Sequence, residues 1–510
     1  MILITLVLLG LTAFYYYNKH IYSYWRKRGV KHDKPVPFLG NNGKNFLLQL
    51  SRSEIIEKTY WNHPNEKVVG FYNSSRPELL IRDPDLIKNV LMKDFAHFTG
   101  RGFAPDKTHT ETFMNNLFFV EGDLWKSLRT RMTPAFTSGK LRAMFPLIVE
   151  RAEKLQEKAL DAVKSNKPID ARDLMARYTT DFIAVCGFGF ENEALKDDDC
   201  EFRQFGYDIF NPPFTQVFKN VLKMMFPGIF KKTKFFGHVE SRAHSIVNEL
   251  QRSRNYKPVG KHDFLDLLLD YKQKGPIEIE SIEKTESDGK PSRFMFELDN
   301  DLIVSQIVLF FGAGFETSSS ATSYTLHELA FNPDVQKKVQ ADIDKVLARH
   351  NNKLSYDAVK EMTYLDWTFQ EGLRKFPSLG YLMRECTKPY TFKELDLTID
   401  KGVKVLVSLQ GMHMDPKYWH NPEEFRPERF SKEEFTSEQK EIYNAFGDGP
   451  RNCIGSRLGI MQSLAGLAAI LSKFTVEPAP NTLRQPTLVH SSDIVQNVKN
   501  GIPLIFKERR

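Results

Sequence analysis

The chain has 510 residues, of which 41% are hydrophobic and 26% charged, a composition typical of folded globular proteins. Its net charge of +7 is small for this length and argues against a nucleic-acid-binding protein, although it permits a local basic patch. The four cysteines form no CxxC pair, which argues against a disulfide framework or a structural zinc site and indicates a reducing compartment.

The first predicted element is an apolar helix at the N-terminus. The run from Ile2 to Tyr17 carries no charge, and lysines and arginines follow between Lys19 and Lys34. A membrane-spanning helix needs about 20 residues, a length that this run reaches with its tyrosines at the interface. A cleaved signal peptide is the alternative, but it usually has basic residues before its apolar run. We therefore predict an uncleaved anchor over residues 1–25, with the rest of the chain in the cytosol.

A stiff joint is predicted between this anchor and a single globular domain. Residues 26–40 combine the basic cluster with Pro35-Val36-Pro37 and Gly40, which favours a fixed turn-rich hinge. We assign residues 41–510 to one domain. In it, KVVGFYNSSRPELLI (67–81) predicts two short strands around a turn, and most of the sequence after residue 81 predicts helices separated by Pro/Gly loops.

Two segments in the middle of the chain depart from this helical pattern. NPPFTQVFKNVLKMMFPGIFKK (211–232) carries phenylalanines and methionines between prolines and ends in lysines. It is either a core helix with its flanking loop or a second membrane contact beside a substrate opening. KGPIEIESIEKTESDGKPSR (274–293) is charged and is predicted to be a mobile surface loop. From about residue 380 strand patterns return, in YTFKELDLTI, VKVLVSL and IPLIF.

The longest predicted element is a helix from Leu302 to Phe331, ended by Asn332-Pro333. At 1.5 Å per residue it is roughly 45 Å long, enough to cross a whole domain. Its first half is apolar nearly all round, so we expect it to be buried in the domain. Its length and its polar residues argue against a second membrane span.

The middle of this helix carries residues that are costly inside a buried helix. Each glycine of Gly312-Ala313-Gly314 costs about 1 kcal/mol relative to alanine, and Glu316 and Thr317 bury a carboxylate and a hydroxyl. A groove of small residues admits a flat or diatomic ligand, and the acid and alcohol can deliver protons. The alternative is a kinked helix in which Thr317 bonds its own backbone and Glu316 reaches solvent. Conflicts of this kind are expected at functional sites.

Two further pairs of polar residues share helix faces. Glu371 and Arg374 lie three residues apart in an aromatic, apolar context, and a buried pair of this kind needs another partner, for which Arg429 is a candidate. Trp125 and Arg129 present two donors and no acid, which suits an anionic ligand such as a carboxylate. A core tryptophan beside a surface arginine is the alternative for that pair.

The stretch FGDGPRNCIG, from Phe446 to Gly455, surrounds one cysteine with glycines and precedes an apolar helix. Cys453 could be a packed thiol, a nucleophile or a metal ligand. A nucleophile needs a positioned histidine and zinc needs three more ligands, and neither is near in sequence. A single axial thiolate to an iron porphyrin needs only one cysteine. Phe446 could shield one side of such a group, and Arg451 could pair with an anion.

The motifs WKSLR, AGFETS, EGLR, FRPERF and FGDGPRNCIG, in this order and at these distances, resemble those of the cytochrome P-450 superfamily of haem-thiolate monooxygenases. The resemblance covers essentially the whole chain. The sequences of two segments, GFETSSSATSYTLHELA and GYLMRECTKPY, are most similar to those of microsomal, arthropod-type members that oxidise xenobiotics. The resemblance implies a mostly α (α+β) fold, with a large helical haem domain, small β-sheets and an N-terminal membrane-anchor helix.

The resemblance also implies roles for the residues singled out above. Cys453 is the expected axial ligand of haem b, in a loop to which Phe446, Gly449 and Gly455 belong. Glu316 and Thr317 correspond to the acid–alcohol pair that activates oxygen, beside an oxygen groove at Ala313 and Gly314. The expected haem propionate partners are Trp125, Arg129, Arg384 and Arg451. The expected structural triad near the cysteine loop is Glu371, Arg374 and Arg429. Gly372, in the middle of a helix, has no explanation at this level.

The substrate pocket is expected to draw on separated segments. By resemblance it includes Phe118, Phe214, Phe310, Phe311, Leu379 and Gly380, with further residues around 103–118 and 210–218. The expected substrates are lipophilic small molecules, either xenobiotics such as plant toxins and insecticides or endogenous lipids.

The resemblance implies partners and a location as well. Electrons would come from NADPH through a separate flavoprotein, the NADPH–cytochrome reductase, since the chain shows no flavin or nicotinamide module; a b-type cytochrome is a second expected partner. Lys126, Arg131 and Lys440 are predicted parts of a basic docking face. The expected location is the endoplasmic reticulum membrane, with the catalytic domain on the cytosolic face and no nucleic-acid partner. A haem-thiolate isomerase or dehydratase, or a haem-based sensor, are the alternative functions.

Overall fold

The computed structural model describes residues 2–103, 111–165, 167–191, 193–197, 200–261, 263–491 and 494–509. The predicted fold class is confirmed, because helices dominate and the sheets are small. The first helices are α1 (Ile2–Ile21), α2 (Tyr24–Lys27), α3 (Gly43–Phe46), α4 (Arg52–Asn62), α5 (Pro84–Lys88), α6 (Gly122–Met132), α7 (Ser138–Ser165) and α8 (Ala171–Phe188). Next come α9 (Glu201–Phe210), α10 (Phe214–Met225), α11 (Glu240–Arg252), α12 (Phe264–Gln273), α13 (Asn300–Phe331) and α14 (Pro333–Arg349). The last are α15 (Tyr356–Glu361), α16 (Thr363–Lys375), α17 (Leu409–His413), α18 (Ser437–Ile442) and α19 (Ser456–Lys473).

The strands form four small sheets in the described part of the chain. Their bounds are β1 (Val68–Asn73), β2 (Arg76–Ile81), β3 (Ile169–Asp170), β4 (Ile277–Thr285), β5 (Pro291–Phe296), β6 (Tyr381–Glu385), β7 (Tyr390–Phe392), β8 (Leu397–Ile399), β9 (Lys404–Ser408), β10 (Phe474–Pro478) and β11 (Pro503–Glu508). The largest sheet has the order β1-β2-β9-β6, in which β2 and β9 are parallel and the other neighbours antiparallel. The predicted strands at 67–81 and in the last third of the chain are therefore confirmed. In this sheet Lys404 pairs with Glu78 on one side and Glu385 on the other.

The central helix α13 is confirmed in type and almost in bounds. The Asp299 side chain accepts a hydrogen bond from the backbone N–H of Leu302 and caps the helix start, and Asn332-Pro333 ends it. The helix packs along α8 and against α16 and α19, in a large helical core. Of its most apolar stretch, 72% is buried inside the protein, as expected for a core helix rather than a membrane span.

The N-terminal helix α1 has the opposite character, since its apolar side chains are exposed along almost its whole length. It is long and apolar enough to cross a membrane. The segment after it packs onto the β-sheet: Trp25 is fully buried, and its indole N–H donates to the carbonyl oxygen of Phe71 at 3.0 Å. The predicted limit between anchor and hinge, at residues 25 and 26, thus lies within this packed segment.

The segment 274–293 is not the mobile surface loop predicted for it. It forms the hairpin of β4 and β5, whose IEIESIE stretch alternates apolar and acidic residues with the period of a strand. The hairpin lies on α6, where Asp123 accepts hydrogen bonds from the Ser281 hydroxyl and the Ile282 backbone N–H, both at 2.6 Å. Arg131, predicted on an exposed docking face, is instead buried at the end of α6. Its guanidinium packs on the rings of Tyr271 and Phe296.

Candidate functional site

The cysteine loop is shaped by two glycines before α19 begins. Gly447 and Gly449 both have a φ of +69°, a left-handed conformation that favours glycine. A Cβ at residue 449 would also overlap the carbonyl oxygen of Leu91, so Gly449 permits close packing and does not itself face a ligand. The backbone N–H of Cys453 donates to the carbonyl oxygen of Phe446 at 2.8 Å, which closes the loop.

The thiol of Cys453 faces an internal cavity of about 260 Å³, which we call the cysteine cavity. Residues of α13 form part of its wall, and Phe446 and Gly455 also line it. Burial raises the pKa of Cys453; a hydrogen bond from the Gly455 backbone N–H and the positive charges of Arg129 and Arg101 act in the opposite direction. A metal ion bound at the sulfur would favour the thiolate further.

Four arginines line the cysteine cavity, and no acidic residue does so in the described ranges: Arg101, Arg129, Arg384 and Arg451. Their hydrogen bonds go largely to backbone carbonyls, such as Val120 for Arg451 and Met383 for Arg384. The Nε and Nη1 atoms of Arg451 and the Nε atom of Arg384 are buried without a hydrogen-bond partner in the part of the chain that the structure describes. The cluster therefore has unused donors and excess positive charge.

The pKa values of these arginines reflect the same excess of positive charge. Burial lowers the pKa of Arg384 to about 10, and burial together with repulsion from Arg384 lowers that of Arg451 to about 9. Burial and repulsion from Arg451 and Arg384 hold the pKa of Arg101 well below its usual range. A bound ligand with carboxylates would restore these values, because opposite charges stabilise the ionised guanidinium.

Trp125 and Arg129 lie on one face of α6, as their spacing predicts, and both lie at the arginine cluster. The guanidinium carbon of Arg451 lies 4.5 Å from the centroid of the Trp125 ring, a cation–π arrangement. Arg129 donates to the backbone carbonyl and side-chain oxygens of Asn452, at 2.8 and 2.6 Å, and so holds the cysteine loop. The alternative of a core tryptophan beside a surface arginine does not describe this pair, since both line the cavity.

These residues fit a haem. One accessible thiol and a mostly apolar wall suit a metal in a flat macrocycle, and four arginines without an acid suit its two carboxylates. Arg101 was not found from the sequence, because it lies in a loop with no recognisable motif. Its donors bond the carbonyl oxygens of Phe118 and Arg451, both at 2.9 Å, so that it connects the loop before residue 104 to the cysteine loop.

The α13 wall follows the helical period. Phe310, Ala313, Gly314 and Thr317 line the cysteine cavity, at the i, i+3, i+4 and i+7 positions of one face. The Thr317 hydroxyl donates to the carbonyl oxygen of Ala313 at 2.8 Å, as in the kinked-helix alternative, yet it also borders the cavity. Thr317 therefore has both the backbone hydrogen bond of the kinked-helix alternative and the cavity position expected of a functional residue.

Glu316 lies on another face of the same helix and does not line the cavity. Its carboxylate is buried, with only 4% of the residue exposed, and pairs with the guanidinium of Arg172 from α8. Arg172 also donates to the Ser319 hydroxyl. The acid neither reaches solvent nor faces the cavity beside Thr317, so proton delivery from it needs a change of side-chain position.

The predicted triad is assembled in the described structure. Glu371 and Arg374 are fully buried and form a two-pronged ion pair, with N–O distances of 2.7 and 2.9 Å. Arg429 adds a contact of 3.3 Å to the same carboxylate. Gly372 between them is also explained, since a Cβ there would overlap the hydroxyl of Thr325 on α13. The glycine allows α16 and α13 to pack closely.

A second cavity of about 280 Å³ adjoins the cysteine cavity, and the two share lining residues that include Phe118, Leu309, Ala313, Thr317 and Leu379. Of the predicted pocket residues, Phe118 and Leu379 line both cavities and Phe310 lines the cysteine cavity. Of the predicted segments, Phe103, Phe113, Met114, Asn116 and Phe210 line the second cavity and Leu117 lines the cysteine cavity. The predicted contribution of residues 104–110 lies outside the described residues.

Three predicted pocket residues lie elsewhere. Phe311 packs in the core against Phe205 and Phe315, because one helical step turns it about 100° away from Phe310. Phe214 is 72% exposed on the surface at the start of α10. Gly380 lines neither cavity, and a Cβ there would come within 2.5 Å of the Ser53 hydroxyl.

Comparisons with known proteins agree with this geometry. The family model described as cytochrome P450 matches residues 31–504. Cytochrome P450 6k1 of Blattella germanica is 37% identical, over 99% of this chain and 96% of that protein. Cytochrome P450 6B1 of Papilio polyxenes is 37% identical, over 93% of this chain and 92% of that protein. The probable cytochrome P450 6a13 of Drosophila melanogaster is 34% identical, over 95% and 94%. The resemblance seen in the sequence motifs is confirmed.

Proposed function

The chain belongs to the cytochrome P450 family, and we propose that this haem-thiolate monooxygenase inserts one oxygen atom of O2 into lipophilic small molecules of foreign origin. The proposal rests on one observation. Cys453, Thr317 and four arginines line a single cavity, and no acidic residue of the described ranges lines it. Plant toxins and insecticides are the proposed substrates, and endogenous lipids are a second class.

Each part of the cysteine cavity has a distinct task. Cys453 would ligate the iron, and Arg101, Arg129, Arg384 and Arg451 would bind the two propionates. When bound, the haem would supply oxygen activation, since ligation by a cysteine thiolate favours cleavage of the O–O bond. The close packing of the cysteine loop on Leu91 and of Arg129 on Asn452 keeps the thiol in a fixed position.

Thr317 is the proposed proton carrier. Its Oγ1 borders the cavity and has a backbone acceptor in Ala313, so the hydroxyl can hold a proton and pass it while staying in place. We propose that Glu316 resupplies this proton. Because its carboxylate is paired with Arg172, that role requires the acid to leave the arginine transiently.

The proposed route of the substrate leads through the second cavity. Its walls include Phe113, Phe119, Phe210 and Phe236, which favour apolar ligands by excluding water. The segment 211–232 lines this cavity with Pro212, Asn220 and Met224. On the surface it exposes Phe214, Phe218 and Ile229, followed by lysines. We propose that this segment dips into the membrane, so that lipophilic substrates reach the cavity from the bilayer.

We propose a location on the endoplasmic reticulum membrane, with α1 as the single anchor and the catalytic domain on the cytosolic face. The exposed apolar surface of α1 and the basic residues after it support this orientation. The proposed electron donor is the NADPH–cytochrome reductase, with a b-type cytochrome as a second donor. Lys126 and Lys440 remain proposed docking residues; Lys126 is half-buried beside the β4–β5 hairpin, whereas Lys440 is exposed.

The experiment combines purified enzyme, reductase, NADPH and a panel of lipophilic compounds, with O2 uptake and product measured together. We expect product that requires both NADPH and reductase. In Thr317→Ala we expect less product per O2 consumed and more peroxide released. Turnover without NADPH would instead favour an isomerase or dehydratase, and O2 binding without product from any compound would favour a sensor.

A further inference from the structure

The charged side chains that line the second cavity are all cationic in the described part of the chain. They are Arg52, Arg76 and Lys404, at the cavity end formed by α4, β2 and β9. Asp and Glu side chains are absent from the described lining. A cavity that serves only neutral lipophilic molecules has no need of buried cations, because each one costs desolvation free energy.

One of these three cations is neutralised by a neighbour outside the cavity lining. Arg52 pairs with Glu78 at 2.7 Å, and the other oxygen of that carboxylate accepts from Asn73 at 3.2 Å. Both oxygens of Glu78 are thus in use. In the sheet, Lys404 pairs in register with Glu78 and Glu385, yet no carboxylate of the described residues lies within ion-pair distance of its Nζ.

Arg76 and Lys404 are the two cations that remain. Within the described residues, neither side chain has an ion pair or a hydrogen bond to the protein. Burial lowers the pKa of both, that of Lys404 to about 8, as expected for cations that lack a close counter-charge.

This cavity adjoins the cysteine cavity, and Ala313 and Thr317 line both. Much of its remaining wall is apolar and includes Phe113, Phe119 and Val308. The same space is therefore bordered by two cations, by apolar walls and by the reaction site at Thr317. An elongated molecule with one anionic end and an apolar body matches this arrangement.

We propose that the second cavity binds lipophilic substrates that carry a carboxylate, which Arg76 and Lys404 bind while the apolar body extends toward Thr317. This inference rests on the proposed monooxygenase function and names a substrate class for the same site. Charge-assisted hydrogen bonds from two partly buried cations give the carboxylate preference. They also fix the orientation of the substrate, so that carbons far from the carboxylate approach Thr317.

The test is calorimetric titration of the purified holoenzyme with dodecanoate and, as its neutral match, dodecan-1-ol, both below their aggregation limits. We expect dodecanoate to bind at least tenfold more tightly, which corresponds to about 1.4 kcal/mol. The double variant Arg76→Gln/Lys404→Gln should lose this advantage and bind dodecan-1-ol within twofold of the parent. Lys401→Gln, an exposed lysine just before β9, is the matched control and should change neither affinity.

Equal affinity of the parent enzyme for the two probes would overturn the inference, as would an equal loss for both probes in the double variant. If the double variant does not fold, the single variants Lys404→Gln and Lys404→Arg provide the test. Only Lys404→Gln should weaken the binding of dodecanoate. Binding is measured without turnover. A failure of the proposed monooxygenation would appear in NADPH-dependent product assays and would leave the carboxylate preference measurable.

Discussion

The carboxylate of Glu316 and the guanidinium of Arg172 form a buried ion pair between α13 and α8, with 2.5 Å between Oε1 and Nη2. This pair turns the acid of the AGFETS motif away from the cavity that Thr317 borders. Its burial makes it a strong constraint on how α13 and α8 pack.

Removal of one partner of this pair should destabilise the protein. Arg172→Leu leaves the Glu316 carboxylate buried without a counter-charge, and such losses cost about 3–5 kcal/mol. Arg172→Leu/Glu316→Leu should recover most of that loss, because neither charge then remains. Urea unfolding of the three proteins measures the difference. A single variant as stable as the parent would show that the carboxylate finds another partner.

Gly372 should be intolerant of alanine for a steric reason. The added Cβ would meet the hydroxyl of Thr325 across the α16–α13 contact, and overpacking of this kind costs about 1–3 kcal/mol. Thr325→Ala removes the hydroxyl and leaves the nearest Thr325 atom at an ordinary 3.4 Å, so Thr325→Ala/Gly372→Ala should regain stability. Thermal unfolding tests this prediction, and a stable Gly372→Ala single variant would contradict it.

The arginine cluster should control how tightly haem is held. Arg384→Gln removes one cation from a site without acids, and a hydrogen bond from a charged group contributes about 1.5–3 kcal/mol. We therefore expect haem transfer from the variant to apomyoglobin to be at least tenfold faster. Arg457→Gln, an exposed arginine on α19 that does not line the cavity, is the control. Equal transfer rates for Arg384→Gln and the parent would exclude Arg384 as a propionate partner.

Carboxylate binding should weaken as pH rises above about 8. Burial lowers the pKa of Lys404 to about 8, and its charged neighbours are Arg52, Arg76, Glu78 and Glu385. A carboxylic acid, with an ordinary pKa of about 4–5, stays ionised throughout this range, so the lysine is the group that titrates. A bound carboxylate raises the pKa of the lysine, so dodecanoate affinity is full below pH 8 and falls above it.

Calorimetry between pH 6.5 and 9.5 checks this pH dependence. Dodecan-1-ol should show a flat profile, and Lys404→Arg should flatten the dodecanoate profile, because arginine keeps its charge. Parallel pH profiles for the two probes in the parent enzyme would assign the titration to another group.

Much of the site could be predicted because its chemistry is carried by short motifs. Residue type and spacing mark four features as candidates for function: Cys453, Thr317, the Trp125–Arg129 pair and the Glu371 triad. Arg101 belongs to no such motif, since its role arises only when a loop folds over the cysteine cavity. Arg76 and Lys404 likewise come from separate strands, β2 and β9, which meet only in the folded sheet.

Other differences arise from periodicity. Phe310 and Phe311 cannot both face one cavity on a helix that turns about 100° per residue, and the same step separates Glu316 from Thr317. The alternation in the IEIESIE stretch predicts a strand, but its many charges led to a loop assignment for 274–293. The packing of α16 on α13, which requires Gly372, is a tertiary contact with no local signal.

The central claim is that Cys453 is the thiolate ligand of the haem. The most direct measurement is the absorption spectrum of the reduced enzyme with bound CO, for the parent and for Cys453→Ser, with the haem content of each preparation determined independently. We predict the long-wavelength Soret band of thiolate ligation in the parent and its complete loss in haem-containing Cys453→Ser. A Cys453→Ser protein that keeps the thiolate-type band would contradict the assignment.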